Sequence, residues 1–279
     1  MNGFLVFESD FGLCDGAVNA MEGVAFGVSP NLNIRHLTHD ITPFNVFEAS
    51  YRLYQCINYW PTGTVFVCIV DPGVGSDRLS VVVKTNSGQY IVTPNNGTLT
   101  HISEFVGIEE VRQIDESVNR LKGSSESYTF HGRDVYAYTG ARLASNTISY
   151  EQVGPVISKD KIELLELYGS HIEGNAVKGE IDILDVRFGS LWTSITASDF
   201  KSLGFKFGDK VDVEIYNNNK CVYEADITYG RSFADVKIGA PVIYINSVNH
   251  IAVAINQGNF ADAYRIGVGN NWLIKLTKI

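Results

Sequence analysis

Cysteine is scarce in this 279-residue chain. Cys14, Cys56, Cys68 and Cys221 stand far apart with no CxxC pair, which argues against a zinc ribbon or a disulfide framework and leads us to expect a reducing, cytoplasmic setting. Positive charge is also in deficit. With 22 Lys+Arg against 31 Asp+Glu the formal net charge is -9, so the summed field repels polyanions and acidic surfaces, and neither nucleic acid nor a membrane is an expected partner. No apolar run is long enough to span a bilayer, and Met1 leads into the apolar Phe4 to Phe7 without a basic flank or a small-residue cleavage site; no anchor or leader is expected. HExxH, GxSxG and Walker loops are missing, as are internal repeats and low-complexity tracts, so zinc-protease, serine-hydrolase and P-loop mechanisms drop out.

What the chain does have is apolar material, 45% of its residues, enough for one large domain or two ordinary ones. The first half alternates short apolar runs with helical spacing. Phe4 to Phe7 reads as a strand, and Ala17, Val18, Met21, Val24, Ala25 and Val28 recur as one helix face. Ile34 to Leu37, a helix carrying Val46, Leu53 and Trp60, and the fully apolar Thr64 to Val70 repeat the cycle. Strands follow at Val81–Val83 and Tyr90–Val92, and a helix at Val135–Leu143. Such alternation predicts an α/β domain over 1–168, a mainly parallel central sheet flanked by helices, with ligands gathering beyond the carboxyl ends of the strands. Residues 169–176 have linker composition. From 177 to 279 strand signals recur with little helix, which predicts a smaller, β-barrel-like domain, and a cleft between the two domains is the expected place for a site.

Four clusters deserve a chemical reading beside a plain one. Ser9-Asp10-Phe11-Gly12 and Asp15 follow the first strand; the two carboxylates could accept from a ribose diol or an ammonium group, or could serve as an Asx turn and a helix cap. Asp71-Pro72-Gly73-Val74-Gly75 opens the loop that ends at Arg78, directly after the apolar strand, where it is either a ligand loop or a capped turn. Thr129-Phe130-His131-Gly132-Arg133-Asp134 puts an imidazole, a guanidinium and a carboxylate just before a helix, although Asp134 would also serve as its N-cap. His36 and His39 lie three apart with Asp40, a metal spacing only if the segment were helical.

Taken together, Ser9 to Gly12, Asp71 to Gly75, Pro94-Asn95-Asn96-Gly97, Thr129 to Asp134 and Asn256-Gln257-Gly258 resemble the S-adenosylmethionine hydroxide adenosyltransferases, whose cousins are the fluorinase and chlorinase enzymes. The resemblance runs in order from the first strand to the last. It implies an N-terminal α/β domain joined to a smaller β domain, a homotrimer with sites between neighbouring subunits, and S-adenosyl-L-methionine as substrate. Water would attack the ribose 5′ carbon and release adenosine and L-methionine, with no metal or organic cofactor. The family's water-activating Asp, Arg and His fall at Asp71, Arg78 and His131, with His131 favoured to take the proton for its pKa near neutrality. The same matching gives Asp10 the ribose hydroxyls, Asp15 and Asp185 the methionine ammonium, and Phe44, Phe188, Trp192 and Phe233 the aromatic walls. Ser247 falls near the methionine end, and the backbone at Asn256 and Gln257 along the adenine edge. Two positions depart from the pattern. Ser190 replaces an adenine-contacting Asn, which bears on adenine affinity, and Val248 stands where halogenating relatives carry Arg. The rival readings are a halide transferase, a non-catalytic binder of adenosine or S-adenosylmethionine, and a metal hydrolase built on His36, His39 and His131.

Overall fold

A computed structural model describes residues 1–126 and 128–279. The chain divides into two compact units, Met1–Leu165 and Glu166–Ile279.

The first unit is built on one seven-stranded sheet. Strand β1 (Phe4–Ser9) leads through α1 (Ala17–Val28) to β2 (Asn33–Thr38), and α2 (Val46–Ile57) leads to β3 (Val65–Ile69). β4 (Ser80–Thr85), β5 (Tyr90–Pro94), α3 (Thr100–Phe105) and β6 (Ile108–Gln113) follow. Next come a π-helical stretch at Gly132–Ala137, α4 (Tyr138–Ala144) and the short β7 (Val156–Ile157). The strand order is β2-β1-β3-β5-β4-β6-β7. The first four strands are parallel, and β4, β6 and β7 extend the sheet antiparallel. Every residue of β3 is buried, because helices cover both faces. Leu5 and Phe7 pack with Val18 and Met21 of α1 and Ala141 of α4, while Val6 and Phe66 pack with Leu53 and Ile57 of α2. The parallel half thus sends the loops after β1, β2 and β3 to one end of the sheet.

In the second unit β9 (Ala176–Leu184) is preceded by a short β8 (His171–Glu173), which lies inside the stretch 169–176 whose composition reads as linker. β10 (Leu191–Thr196), α5 (Ala197–Ser202), β11 (Lys210–Asn217), β12 (Lys220–Tyr229), β13 (Pro241–Ile245), β14 (His250–Ile255), α6 (Phe260–Tyr264) and β15 (Trp272–Lys278) complete it. The order β10-β14-β13-β12-β11-β15-β9 closes through pairing of β9 with β10, so seven strands form a barrel and β8 adds to the outside of β9. Val177, Ile181, Leu191, Val213, Val253 and Ile274 fill it. Closure removes the free edges that a seven-stranded open sheet would present. Among the described residues no helix is long and apolar enough to cross a membrane.

Candidate active site

The loop after β3 carries the acid of the cluster that runs from Asp71 to Arg78. Asp71 stands one residue past the all-buried run that ends at Val70, and the loop returns so that Arg78 meets it head on. Arg78 Nε donates to Asp71 Oδ1 at 2.6 Å, and Nη2 donates to Oδ2. Both side chains are nearly enclosed, 7% exposed for Asp71 and 11% for Arg78, a bidentate geometry in which the two charges satisfy each other. Gly75 makes the return possible. Its φ is +82°, and a Cβ there would come within 3.4 Å of the Tyr128 carbonyl oxygen.

The third fork nitrogen of Arg78 points elsewhere. Nη1 donates to the Tyr136 hydroxyl at 2.6 Å, and that hydroxyl lies 3.1 Å from Ser80 Oγ. Ser80 donates to Glu116 Oε1 at 3.3 Å, Glu116 Oε2 accepts from Arg120 Nη2 at 2.9 Å, and the same Nη2 lies 2.9 Å from His131 Nε2. One hydrogen-bonded path therefore runs from Asp71 to His131, and the charges of Asp71 and Arg78 also act directly on the imidazole. Burial disfavours the charge of Arg78, yet Tyr136 and Asp71 outweigh it and hold the guanidinium above its ordinary pKa. Burial likewise pushes the Tyr136 phenol up, so it remains an O–H. His131 is pushed below its ordinary value, first by burial and then by Arg120 and Arg78, against the opposing pull of Glu116 and Asp71. The ring precedes the π-helical turn at Gly132, a distortion that tends to mark functional positions. Asp134 does not cap that helix, because its carboxylate is buried against Arg133 Nε at 2.7 Å.

Asp10 leaves the end of β1 and accepts from the Phe44 backbone N–H at 2.8 Å, holding Phe44 at φ +69° with its ring 71% exposed. Asp15 is exposed and accepts from Ala17 N at 2.8 Å in an Asx turn; the N-cap of α1 is Gly16, so the expected helix cap by Asp15 is not made. His39 Nδ1 meets Ser9 Oγ, and its Nε2 meets His36 Nδ1, each at 2.7 Å. These imidazoles are spent on each other, burial and then His36 lower the pKa of His39 to about 4, and no metal-binding cluster occurs among the described residues. A metal centre built on His36, His39 and His131 is not assembled.

In the barrel unit, Phe188, Ser190, Phe233, Asn256 and Gln257 line one cavity of about 500 Å³ together with Arg187. Asp185 sits in the tight turn between β9 and β10, its N–H donating to Ser190 O at 2.9 Å. Tyr244 links the rest. Its hydroxyl meets the side chains of Ser190 and Trp192, it feels the charge of Asp185, and its ring lies 5.0 Å from that of Phe233. Ser247 is exposed in the turn after β13 and is not among the lining residues. Arg120, Glu116, Tyr136, Arg187 and Tyr244 escape the sequence reading. Tyr136 and Tyr244 look like ordinary core aromatics of a helix and a strand.

A seven-stranded α/β layer with a buried Asp–Arg–His network, followed by a closed barrel with an apolar cavity, defines a two-domain small-molecule enzyme. The chain belongs to the S-adenosylmethionine hydroxide adenosyltransferase family, whose N-terminal domain model matches residues 5–154 and whose C-terminal model matches 179–273. It is 34% identical to the (R)-S-adenosyl-L-methionine hydrolase of Methanocaldococcus jannaschii over 220 residues, 77% of this chain and 74% of that one. It is 28% identical to a fluorinase of Actinoplanes sp. over 96% of both. The crystal structure of an uncharacterized conserved protein from Thermotoga maritima superposes with a TM-score of 0.89 at 32% identity, covering 98% of this chain and 100% of that one.

Proposed function

We propose that this enzyme hydrolyses S-adenosyl-L-methionine to adenosine and L-methionine, with Asp71, Arg78 and His131 orienting the water. The observation that carries this reading is the enclosed Asp71–Arg78 pair joined through one hydrogen-bonded path to a buried His131. A sulfonium is a good leaving group that needs no general acid, so the protein's task is to place a water in line with the C5′–S bond and to relieve it of a proton.

The remaining roles follow the same assignment. Asp10 accepts the ribose hydroxyls, with Phe44 beside it. Asp185, together with Asp15, accepts the methionine ammonium, and Ser247 lies near that end. The cavity of Phe188, Ser190 and Phe233 takes the apolar surface of the adenosyl group, with its adenine edge against the backbone of Asn256 and Gln257 and with Trp192 buried behind it, beside Tyr244. No organic cofactor or metal enters the scheme. Trimeric assembly with sites between subunits is supported by apolar side chains left bare on both units, such as Leu13 at 72%, Val186 at 74% and Ile238 at 71% exposed.

The direct test is incubation with S-adenosylmethionine in ¹⁸O-labelled water. The product adenosine should carry the heavy oxygen at its 5′ hydroxyl by mass spectrometry. Unlabelled adenosine, or S-adenosylhomocysteine in its place, would contradict carbon attack by water.

Similarity to fluorinases keeps halide transfer as the second reading. On the hydrolysis reading the carboxylate of Asp71 faces the attack position and accepts a water's hydrogen bond; Arg78 offsets part of its repulsion of an anion, and the part that remains grows as water leaves. We expect no 5′-halo-adenosine at high chloride or fluoride. Appreciable halogenated product on chromatography would move the enzyme to the halogenating branch.

A further inference from the structure

The hydrogen-bonded path from Arg78 to His131 has only one possible direction. Arg78 must donate to Tyr136, since a guanidinium has no acceptor. Ser80 donates to Glu116, so Tyr136 donates to Ser80. Arg120 must likewise donate at both its contacts, one hydrogen of Nη2 to Glu116 Oε2 and the other to His131 Nε2. An imidazole nitrogen that accepts carries a lone pair and no proton, so in the neutral ring the hydrogen is on Nδ1. That nitrogen is buried, in a residue only 7% exposed, and has no hydrogen-bond partner among the described residues. Nothing local has claimed the one donor that the tautomer leaves.

We infer that Arg120 is a positioning residue that locks His131 as the Nδ1–H tautomer, so that the imidazole donates to the attacking water and Asp71, not His131, accepts its proton. This rests on the hydrolysis proposed above. A proton on Nε2 would set two N–H groups against each other at 2.9 Å, and in the imidazolium two positive charges as well; the ion pair with Glu116 and packing over the Tyr128 ring, 5.2 Å away, hold Arg120 in place. The groups acting on the imidazole are Glu116, Arg120, Arg78 and Asp71, and the two arginines both oppose its protonation. Asp71 can still accept, because each carboxylate oxygen has a second lone pair beyond its bond to Arg78. In the step itself the C5′–O bond forms as the C5′–S bond breaks, the bonding pair leaves on the methionine thioether, and the water's proton passes to Asp71 and then to solvent. The preference for His131 as proton acceptor, drawn from its ordinary pKa, is thereby reversed.

The test is ¹⁵N NMR of the histidine-labelled whole protein, with His131 assigned by the signal missing from His131→Gln, alongside pH–rate profiles. We expect an unprotonated Nε2 and a protonated Nδ1 through neutral and alkaline pH, and a wild-type kcat with no imidazole ionisation there. In Arg120→Gln the ring should titrate. Its imidazolium would then pair with Asp71, so kcat should drop on the order of tenfold with KM little changed and acquire a limb falling below about pH 6.5. Arg120→Lys, which keeps a charged donor, should restore the flat profile. A protonated Nε2 in the wild type, or an imidazole limb in its kcat, overturns the inference while leaving hydrolysis standing. Failure of the wild type to form adenosine overturns both. The wild-type spectrum decides the tautomer even if Arg120→Gln does not fold.

Discussion

Asp71→Asn, Arg78→Ala and His131→Ala should each slow adenosine formation by about 10²- to 10⁴-fold at saturating substrate, a loss of roughly 2.7 to 5.5 kcal/mol of transition-state stabilisation. In the proposed scheme each acts on the water and not on the adenosyl or methionyl groups, so binding of S-adenosylmethionine by calorimetry should change little. Asp71→Asn removes the proton acceptor and leaves a guanidinium that is only 11% exposed without its counter-charge, so it should be the most damaging. Arg78→Ala frees Asp71 but also cuts the path to Tyr136. Because these residues form one unit, the double variant Asp71→Asn/Arg78→Ala should be no slower than the worse single one. Rates within a few-fold of wild type in all three single variants would remove the assignment, and circular dichroism separates loss of chemistry from loss of fold.

The layers of the fold were readable because their causes are periodic. Residues of β3 are apolar on both faces, α1 repeats its apolar positions every three to four residues, and β9 to β15 alternate around a barrel. The antiparallel wing was harder. β6 spells Ile108-Glu-Glu-Val-Arg-Gln113 with only Ile108 and Val111 buried, and α3 has six residues, too few to show a period. In the candidate site, Asp71, Arg78 and His131 are named by the family resemblance of the motifs around them, and the structure joins the three in one hydrogen-bonded network. What joins them could not be read. Glu116 and Arg120 lie in a turn-rich stretch without periodicity, and Tyr136 reaches Arg78 across 58 positions of sequence. A tautomer depends on which nitrogen meets which donor, a distance that only folding sets. Asp15, by contrast, reads either as a ligand or as a helix cap, and the structure gives the cap position to Gly16 and leaves Asp15 in an Asx turn one residue ahead.

The second large effect should come from a residue outside the catalytic path. Glu8 lies on β1 opposite Thr38 of β2 and Cys68 of β3. It is fully buried, and neither carboxyl oxygen has an oxygen or nitrogen partner. Burial pushes its pKa from 4.5 up to about 8, with the Cys68 thiol and Arg52 pulling the other way and Glu48 adding to the rise. Folding therefore favours the protonated acid. Below about pH 4.5 both folded and unfolded chains hold this proton, and the group adds no pH dependence. Between 4.5 and about 8 only the folded chain holds it, so stability should fall as pH rises, by about 1.4 kcal/mol per pH unit and about 5 kcal/mol over the window. Above about pH 8 the loss is complete. Glu8→Gln keeps the shape without the ionisation, so it should match wild type within about 1 to 2 kcal/mol at pH 5 and exceed it by several at pH 8.5. For a unit of this size that is a rise in Tm of roughly 10 °C. Calorimetric melting of both proteins at the two pH values tests this. Parallel pH dependence in wild type and variant would mean that Glu8 ionises in the folded protein much as it does in water, and that its burial is relieved by opening of β1.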